Sequence, residues 1–246
     1  LGIFLGKKQI ELIFDIGPMP DRLIGDPLRL EQVLLNLLNN AIKFTNIGYV
    51  HFRVRTFRAR GGEAELEFVV EDTGIGMSEE QIANLFQPFT QADGSTSRKY
   101  GGTGLGLVIS DELVKLMGGR LEVESRQSVG SRFSFSLTFP VASSRKPEAP
   151  AAPVQATALC IERPGLMQRV LTELLASIGI EAVCADSWKK AIDMLDGMPE
   201  GQAFDYIFFN MEMGDMYGEE TWFTLRRAAR SAKTVAITTP FGQHEW

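Results

Sequence analysis

Cysteine and histidine are scarce in this chain of 246 residues, which contains two of each. Cys160 and Cys184 alone supply neither a disulfide framework nor a zinc site, so we expect a reducing, cytoplasmic compartment. No stretch reaches the roughly 18 uncharged apolar residues of a membrane span. The chain starts with apolar and then basic residues, the wrong order for a signal peptide. We expect Leu1 to lie inside a longer protein, and the sequence leaves open whether that protein is membrane-anchored.

An excess of basic residues is also lacking, because 25 Lys and Arg face 31 Asp and Glu, for a net charge of −6. This balance argues against nucleic acid as the main partner, since phosphate backbones need a basic face. The length fits one or two domains. Residues 141–156 are mostly small residues and prolines, which predicts an interdomain linker. The predicted domains are therefore 1–140 and 157–246.

The first part has the alternating patterns of an α/β fold. Asp26-Pro27 marks a helix start, because Asp caps free N–H groups and Pro suits the first helical position. That helix is predicted to run to about Phe44, with apolar residues at helical spacing. The other predicted elements are a strand at 9–16, a hairpin at 50–57 and 65–70, a helix at 103–117, and strands at 121–125 and 131–139.

A polar stripe interrupts the long apolar helix. Asn36, Asn40 and Lys43 are spaced at i, i+4 and i+7 and therefore share one face. Three such residues ordinarily form a solvated face, but Asn is a weaker helix former than Glu or Lys. Asn carbonyl oxygens are hard ligands for Mg²⁺, which needs few protein ligands when phosphates supply the rest. Lys43 would then meet phosphate.

A carboxylate followed by glycines comes directly after a predicted strand, in the segment Asp72-Thr-Gly-Ile-Gly-Met77. A tight turn explains this pattern, and so does a ligand loop in which glycines let a ligand approach the backbone. An ionised Asp72 that accepts a hydrogen bond from an exocyclic amine gains about 1.5–3 kcal/mol.

A second glycine-rich segment, 101–106, opens the predicted helix 103–117. Exposed N–H groups and the positive end of the helix dipole suit phosphate there. The spacing matches neither a Walker A loop nor a dinucleotide fingerprint. The polar segment before it ends in Arg98-Lys99, and the composition of 90–102 predicts a mobile lid over phosphates.

Four segments in this order resemble the N, G1, F and G2 boxes of sensor histidine kinases. They are Asn36-Leu-Leu-Asn-Asn-Ala-Ile-Lys-Phe-Thr45, Asp72-Thr-Gly-Ile-Gly76, Leu85-Phe-Gln-Pro-Phe89 and Gly102-Thr-Gly-Leu-Gly106. The resemblance covers about residues 9–139. It implies a Bergerat-type ATP-binding fold, which is a two-layer α/β sandwich that holds ATP between the sheet and the lid.

The resemblance also implies roles for single residues, with ATP and Mg²⁺ as cofactors. Asn40 would be the Mg²⁺ ligand, Asn36 would assist the metal and the phosphates, and Asp72 would bind the adenine amine. Lys43 and Arg98 would meet the phosphates, and with Asn36 they form the expected catalytic set. The other expected residues around the nucleotide and its lid are Gly74, Gly76, Phe86, Phe89, Lys99, Gly102, Thr103, Gly104, Leu105 and Gly106. Both phenylalanines in this set are equally well explained as core residues.

The reaction expected from the resemblance is phosphoryl transfer. Related ATPases such as gyrase, Hsp90 and the mismatch-repair ATPases place a Glu where Asn36 stands, and Asn cannot act as a general base. Transfer to an external acceptor is therefore favoured over hydrolysis. Neither His51 nor His244 lies in the Ser/Ala-His-Glu-Leu-Arg helix that the family phosphorylates.

The phosphoacceptor is therefore expected on a histidine-bearing dimerisation domain of the same protein, upstream of Leu1, in a homodimer. A downstream receiver or phosphotransfer protein is the expected next partner. The alternative is a regulatory ATP-binding or docking module whose kinase activity is held off.

Residues 157–246 alternate strands and helices, which predicts a parallel sheet with crossover helices. This part resembles a receiver domain with a doubly wound parallel sheet that stops before the fifth strand. The acidic pair of a receiver is replaced by Glu162 and Arg163, and Asn210 stands at the phosphoacceptor position, while Thr238 fits the Thr position. We expect a pseudo-receiver that docks on the kinase or binds an anionic effector such as a second messenger. Drift in a domain kept for packing is the alternative.

Overall fold

The computed structural model describes residues 8–87, 105–142, 155–199, 201–211, 213, 218–229 and 232–237. The chain divides into two compact units, unit 1 at Leu1–Arg145 and unit 2 at Lys146–Trp246. No helix in the described ranges is both long and apolar enough to span a membrane.

Unit 1 is a mixed sheet with helices on one face. Its elements are β1 (Gln9–Ile16), α1 (Pro27–Phe44), β2 (Ile47–Arg60), β3 (Glu63–Asp72), α2 (Glu79–Ala83), α3 (Gly106–Leu116), β4 (Glu122–Arg126) and β5 (Gly130–Pro140). The strand order is β1-β2-β3-β5-β4. The first pair, β1 and β2, is parallel, and the other neighbours are antiparallel.

Local sequence accounts for the start of α1 and for the β2–β3 hairpin. The Asp26 side chain accepts a hydrogen bond from the Arg29 backbone N–H at 3.1 Å, and a proline occupies the first helical turn. The hairpin turns at Gly61 and Gly62, whose φ angles of 65° and 83° are cheap only for glycine and match the twist of the strands.

The core of unit 1 lies between the sheet and helices α1 and α3. One face of each central strand is apolar, because alternate residues of a strand point to the same side. The buried side chains include Phe68 and Phe135, whose rings stack at 5.0 Å on neighbouring strands. The apolar stripe of α1 and Val114 of α3 cover this face.

The sequence missed one helix of unit 1. Helix α2 begins with a capping box in which Ser78 and Gln81 each bond to the other's backbone, a pattern readable from the sequence. Helix α3 is described from Gly106, and the predicted start at 103 lies outside the described residues. The remaining predicted elements of unit 1 differ from those observed mainly by a few residues at their ends.

Unit 2 is a parallel sheet with helices on both faces, as the strand–helix alternation predicts. Its elements are β6 (Ala156–Ile161), α4 (Leu166–Ser177), β7 (Ile180–Ala185), α5 (Trp188–Asp196), β8 (Tyr206–Asn210), α6 (Gly218–Ala228) and β9 (Lys233–Ile237). The strand order is β7-β6-β8-β9, and every neighbouring pair is parallel. One core contains Trp188 against Phe209, and the other contains Cys160 and Leu175.

Candidate functional site

The polar stripe predicted on the long helix is present on α1. Asn36, Asn40 and Lys43 are half-buried, whereas Val33 and Leu37 on the adjoining apolar stripe are buried in the core. Burial lowers the pKa of Lys43, and its Nζ lies 4.9 Å from the centroid of the Phe44 ring that follows it. The structure therefore places two amides and one cation on one accessible face, and their roles stay predictions.

Asn36 connects this stripe to the start of α3. Its Nδ2 donates to the hydroxyl of Ser110 at 2.8 Å, and Ser110 is buried. A side chain at Gly106 would clash with Oδ1 of Asn36, so Asn36 could keep its present position only with glycine there. The last residue of the predicted glycine-rich segment thus lies directly beside the first residue of the polar stripe.

Asp72 is the last residue of β3 and is 7% exposed. Its Oδ1 accepts a hydrogen bond from the Gly74 backbone N–H at 2.8 Å. Burial raises the pKa of Asp72 to about 6, and this outweighs hydrogen bonds from the Gly74 and Ser131 backbones and the Thr45 side chain, which act in the opposite direction. A carboxylate held in this way gains from a further donor supplied by a ligand.

The loop after Asp72 packs tightly against the C-terminal end of α1. A side chain at Gly74 would come within 2.5 Å of the Phe44 carbonyl oxygen. The next residue, Ile75, donates its backbone N–H to the same oxygen at 3.3 Å. Gly76 has a φ of 62°, and a side chain there would clash with the Arg126 carbonyl. Both glycines are required because backbone approaches them closely. The end of α1 lies against Gly74, and the end of β4 lies against Gly76.

A family model described as "Histidine kinase-, DNA gyrase B-, and HSP90-like ATPase" matches residues 25–142, which include α1, the Asp72 loop and α3. Residues 25–142 are therefore similar to this ATPase family and are called the ATPase domain below. The ATPase domain has the mixed α/β fold of the family.

Two similar proteins are named as histidine kinases. The chain is 45% identical over 141 residues to hybrid signal transduction histidine kinase F of Dictyostelium discoideum, which is 56% of this chain and 13% of that protein. It is 36% identical over 215 residues to sensor histidine kinase GacS of Pseudomonas protegens, which is 86% of this chain and 23% of that protein. The chain thus spans about a quarter or less of these relatives.

A crystal structure described as full-length ShkA in complex with AMPPNP is similar to both units. The TM-score is 0.67 at 25% sequence identity, and the match covers 97% of this chain and 50% of that one.

Several residues expected around the lid lie outside the described residues. They are Phe89, Arg98, Lys99, Gly102, Thr103 and Gly104. Phe86 is described and packs against the core of the ATPase domain, which favours the core explanation for that residue. Leu105 is in the helical region of backbone conformation and makes no side-chain cap.

The donor set of α1 fits Mg²⁺ only together with phosphates. In the described part of the chain, no group of three or more His, Cys, Asp or Glu side chains is placed to hold a metal. Asn36 and Asn40 offer neutral oxygens, and Mg²⁺ is commonly bound by one or two protein ligands plus substrate phosphates and water. The set is therefore suited to an ion that arrives with a nucleotide.

Sequence reasoning missed three supporting residues of the ATPase domain. Ser110 orients Asn36, Thr45 lies beside Asp72, and Gly130 has no room for a side chain because it would clash with the Asp72 carbonyl. The spacing of Gly106 and Ser110, one turn apart on α3, was a readable signal. The other two depend on contacts between distant segments.

The pocket expected in unit 2 is closed by its own side chains. Asn210 Nδ2 donates to both carboxylate oxygens of Glu162, at 3.2 and 2.9 Å. Glu162 is 4% exposed, and its Oε1 also accepts the Arg163 backbone N–H at 2.9 Å. The side chain of Arg163 is exposed, and Thr238 lies outside the described residues.

Proposed function

We propose that the ATPase domain binds Mg-ATP and transfers the γ-phosphoryl group to a histidine on a dimerisation domain outside this chain, in two-component signalling. The observation that carries this proposal is the position of Asp72. It is a buried carboxylate on a glycine loop that packs against the end of the helix bearing Asn36 and Asn40. A nucleotide whose base lies at Asp72 would have its phosphates near that helix.

Each residue has a physical task in this proposal. Asp72 accepts a hydrogen bond from the adenine amine, and Gly76 lets the loop pack against the Arg126 backbone beside the base edge. Asn40, assisted by Asn36, holds the metal, while Lys43 and Arg98 neutralise phosphate charge. Bound Mg²⁺ would polarise the phosphates and stabilise the charge that develops on them. Phosphoryl transfer depends chiefly on such positioning and charge neutralisation.

One observation favours transfer over hydrolysis, and a second argues against His51 as the acceptor. Asn36 hydrogen-bonds Ser110, and its amide has no basic site with which to activate water. His51, a histidine of the ATPase domain, is 5% exposed in β2, and its Nε2 lies 3.5 Å from Asp15. A side chain buried in this way is a poor acceptor for an incoming phosphoryl group. An acceptor on a partner domain of a homodimer, with a downstream receiver or phosphotransfer protein, fits better.

For unit 2 we propose a pseudo-receiver role. The strand order β7-β6-β8-β9 is 2-1-3-4 within the unit, which is how receiver-type sheets begin. Among the described residues, the pocket offers one carboxylate, which Asn210 already binds, so the pocket suits neither Mg²⁺ nor phosphorylation. The unit would then regulate by docking or by binding an anionic effector at the exposed Arg163. The second candidate function, a docking module with kinase activity held off, rests on this same closed pocket.

Calorimetry tests the nucleotide site. Asn40→Ala is expected to abolish Mg²⁺-dependent ATP binding, and Asp72→Asn is expected to weaken ATP binding by about 10- to 150-fold while GTP binding changes little. Asn39→Ala is the matched control, because it removes the same side chain one position away, about a quarter-turn around α1. Wild-type affinity in both site variants would refute the assignment.

Radiolabelled ATP tests the transfer step. The chain alone is expected to take up no label, and a histidine-bearing dimerisation domain added in trans is expected to become labelled. Hydrolysis without transfer would favour the ATPase alternative, and label on His51 or His244 would overturn the proposed acceptor.

A further inference from the structure

Each of the last four carbonyl groups of α1 accepts a hydrogen bond from a residue outside the helix. The last four carbonyls of a helix have no partner inside the helix. The first of them, on Ala41, accepts from the Thr45 backbone N–H at 3.1 Å. The last, on Phe44, accepts from Ile75 in the loop after Asp72. Two of the four are thus bound by residues that themselves belong to the candidate site.

Lys8 binds the remaining two carbonyls. Its Nζ lies 2.6 Å from the Ile42 carbonyl oxygen and 2.8 Å from that of Lys43. The same Nζ lies 2.8 Å from the carbonyl oxygen of Thr45, the C-cap residue. An ammonium group has three N–H donors, which matches these three acceptors. A cation at this position also complements the negative end of the helix dipole.

The segment that Lys8 holds carries several parts of the site. Asn40 and Lys43 lie in the last turns of α1, and Thr45 is fully buried beside Asp72. Displacement of this helix end would therefore move Asn40, which is the proposed metal ligand. It would also move the Thr45 hydroxyl, which lies beside the carboxylate proposed to bind adenine. Lys8 reaches this point from the residue directly before β1, 37 positions from Thr45 along the chain.

We propose that Lys8 is a positioning residue of the nucleotide site, acting through the end of α1. The inference rests on the proposed ATP-binding function. Because three protein carbonyls face its three donors, Lys8 acts on the site without contacting nucleotide. It also lies outside residues 25–142, so the family match does not assign it.

The test is ATP binding by the full chain with Mg²⁺, measured by calorimetry. Lys8→Met removes the ammonium and is expected to weaken ATP binding about three- to tenfold. Lys8→Arg keeps the charge but not the compact three-donor head, so we expect about half of that loss. Lys115→Met is the matched control, because Lys115 also lies in the last turn of a helix, where it pairs with Asp111 and Glu112. We expect it to leave affinity unchanged.

Two further readouts separate positioning from a general loss of stability. The ratio of ATP to GTP affinity should fall in Lys8→Met, because Thr45 fixes the surroundings of Asp72. Amide exchange at Ile75 should accelerate in Lys8→Met and not in Lys115→Met. If Lys8→Met does not fold, Lys8→Arg carries the test through the same ratio and the same amide.

The outcomes distinguish this inference from the proposed function. If Asp72→Asn loses affinity while a folded Lys8 variant binds ATP with wild-type affinity and wild-type ATP preference, the role of Lys8 is overturned and the site stands. If Asp72→Asn also binds normally, the site itself is wrong. Equal losses of ATP affinity in Lys8→Met and Lys115→Met would show that Lys8 acts only through its positive charge and not through the end of α1.

Discussion

The two units each bury one carboxylate at the end of a strand, and they satisfy it in different ways. Asp72 in unit 1 accepts from the Gly74 backbone, and burial holds its pKa near 6. Glu162 in unit 2 has both oxygens bound by the amide of Asn210. The first carboxylate is bound by the backbone of a glycine loop, and the second is closed by a neighbouring side chain.

This difference indicates which of the two carboxylates can gain free energy from an external ligand. Burying an ionised carboxylate costs free energy unless hydrogen bonds compensate for the lost water. In unit 1 that cost is only partly offset, so a ligand that brings a donor gains from it. In unit 2 the protein supplies the donor itself, and an external cation or phosphoryl group would have to displace it. A strand-end carboxylate is therefore informative only together with its partners.

The largest expected effect comes from removing the donor in unit 2. Asn210→Asp replaces an amide that donates at 2.9 and 3.2 Å with a second carboxylate. Two like charges about 4 Å apart repel by about 4 kcal/mol at an effective dielectric of 20. We expect unit 2 to lose up to about 4 kcal/mol of unfolding free energy at neutral pH, and added Mg²⁺ to restore part of it. Urea unfolding with and without Mg²⁺ measures both.

The control for this change is Gln202→Glu, which converts an amide to a carboxylate at an exposed position of the same unit. Its effect should stay within about 0.5 kcal/mol. If Asn210→Asp were as stable as the wild type and insensitive to Mg²⁺, the amide would not be closing the pocket.

The second prediction is that neutral replacements of the two carboxylates act with opposite signs. Asp72→Asn removes a buried charge whose pKa is raised from 3.8 to about 6, so unit 1 without nucleotide should gain about 1–3 kcal/mol at pH 7. Glu162→Gln removes a charged acceptor from Asn210, and unit 2 should lose about 1–3 kcal/mol. Thermal unfolding of the two variants, followed by tryptophan fluorescence and circular dichroism, compares them. A loss of stability in Asp72→Asn would contradict the claim that the cost of burying ionised Asp72 is only partly offset in the absence of a ligand.

The sequence predicted local features of the fold well. Helix α1 was predicted from Asp26-Pro27 to Phe44 and begins and ends there, because its cap and its apolar spacing lie within the segment itself. Most strands were predicted with ends displaced by a few residues, since strand ends depend on pairing with distant segments. The short helix α2 was missed although Ser78 and Gln81 carry its capping box, because five residues give little apolar periodicity.

The candidate site was predictable where its residues share a motif and hidden where they meet across the fold. Asn36 and Gly106 belong to separate motifs, and their contact could be inferred only from family resemblance. Lys8 belongs to no motif, and its contact with Thr45 joins segments 37 positions apart. Likewise the closure of Glu162 by Asn210 depends on β6 and β8 being neighbours in the sheet. Sequence spacing does not encode such pairs.

The smallest expected effect is the pH dependence of ATP binding, which separates the two carboxylates without any mutation. The hydrogen bond from the adenine amine requires ionised Asp72, whose pKa in the nucleotide-free protein is about 6. ATP affinity should therefore be constant above about pH 7 and fall by up to about tenfold for each unit below pH 6. Calorimetry between pH 5 and 8 at fixed Mg²⁺ measures this profile.

The phosphates of the nucleotide also titrate in this range, so Asp72→Asn serves as the control, and only the difference between the two profiles belongs to Asp72. Stability without nucleotide should change in the opposite direction. The pKa of Asp72 is higher in the folded protein than its ordinary value of 3.8, so the folded state binds the proton more tightly between about pH 6 and pH 4. The contribution of Asp72 to unfolding free energy therefore rises as the pH falls through that window, while ATP affinity falls. Identical pH profiles of ATP affinity in the wild type and Asp72→Asn would show that this carboxylate does not bind the base. Asp72 would then no longer differ from Glu162 in being available to a ligand.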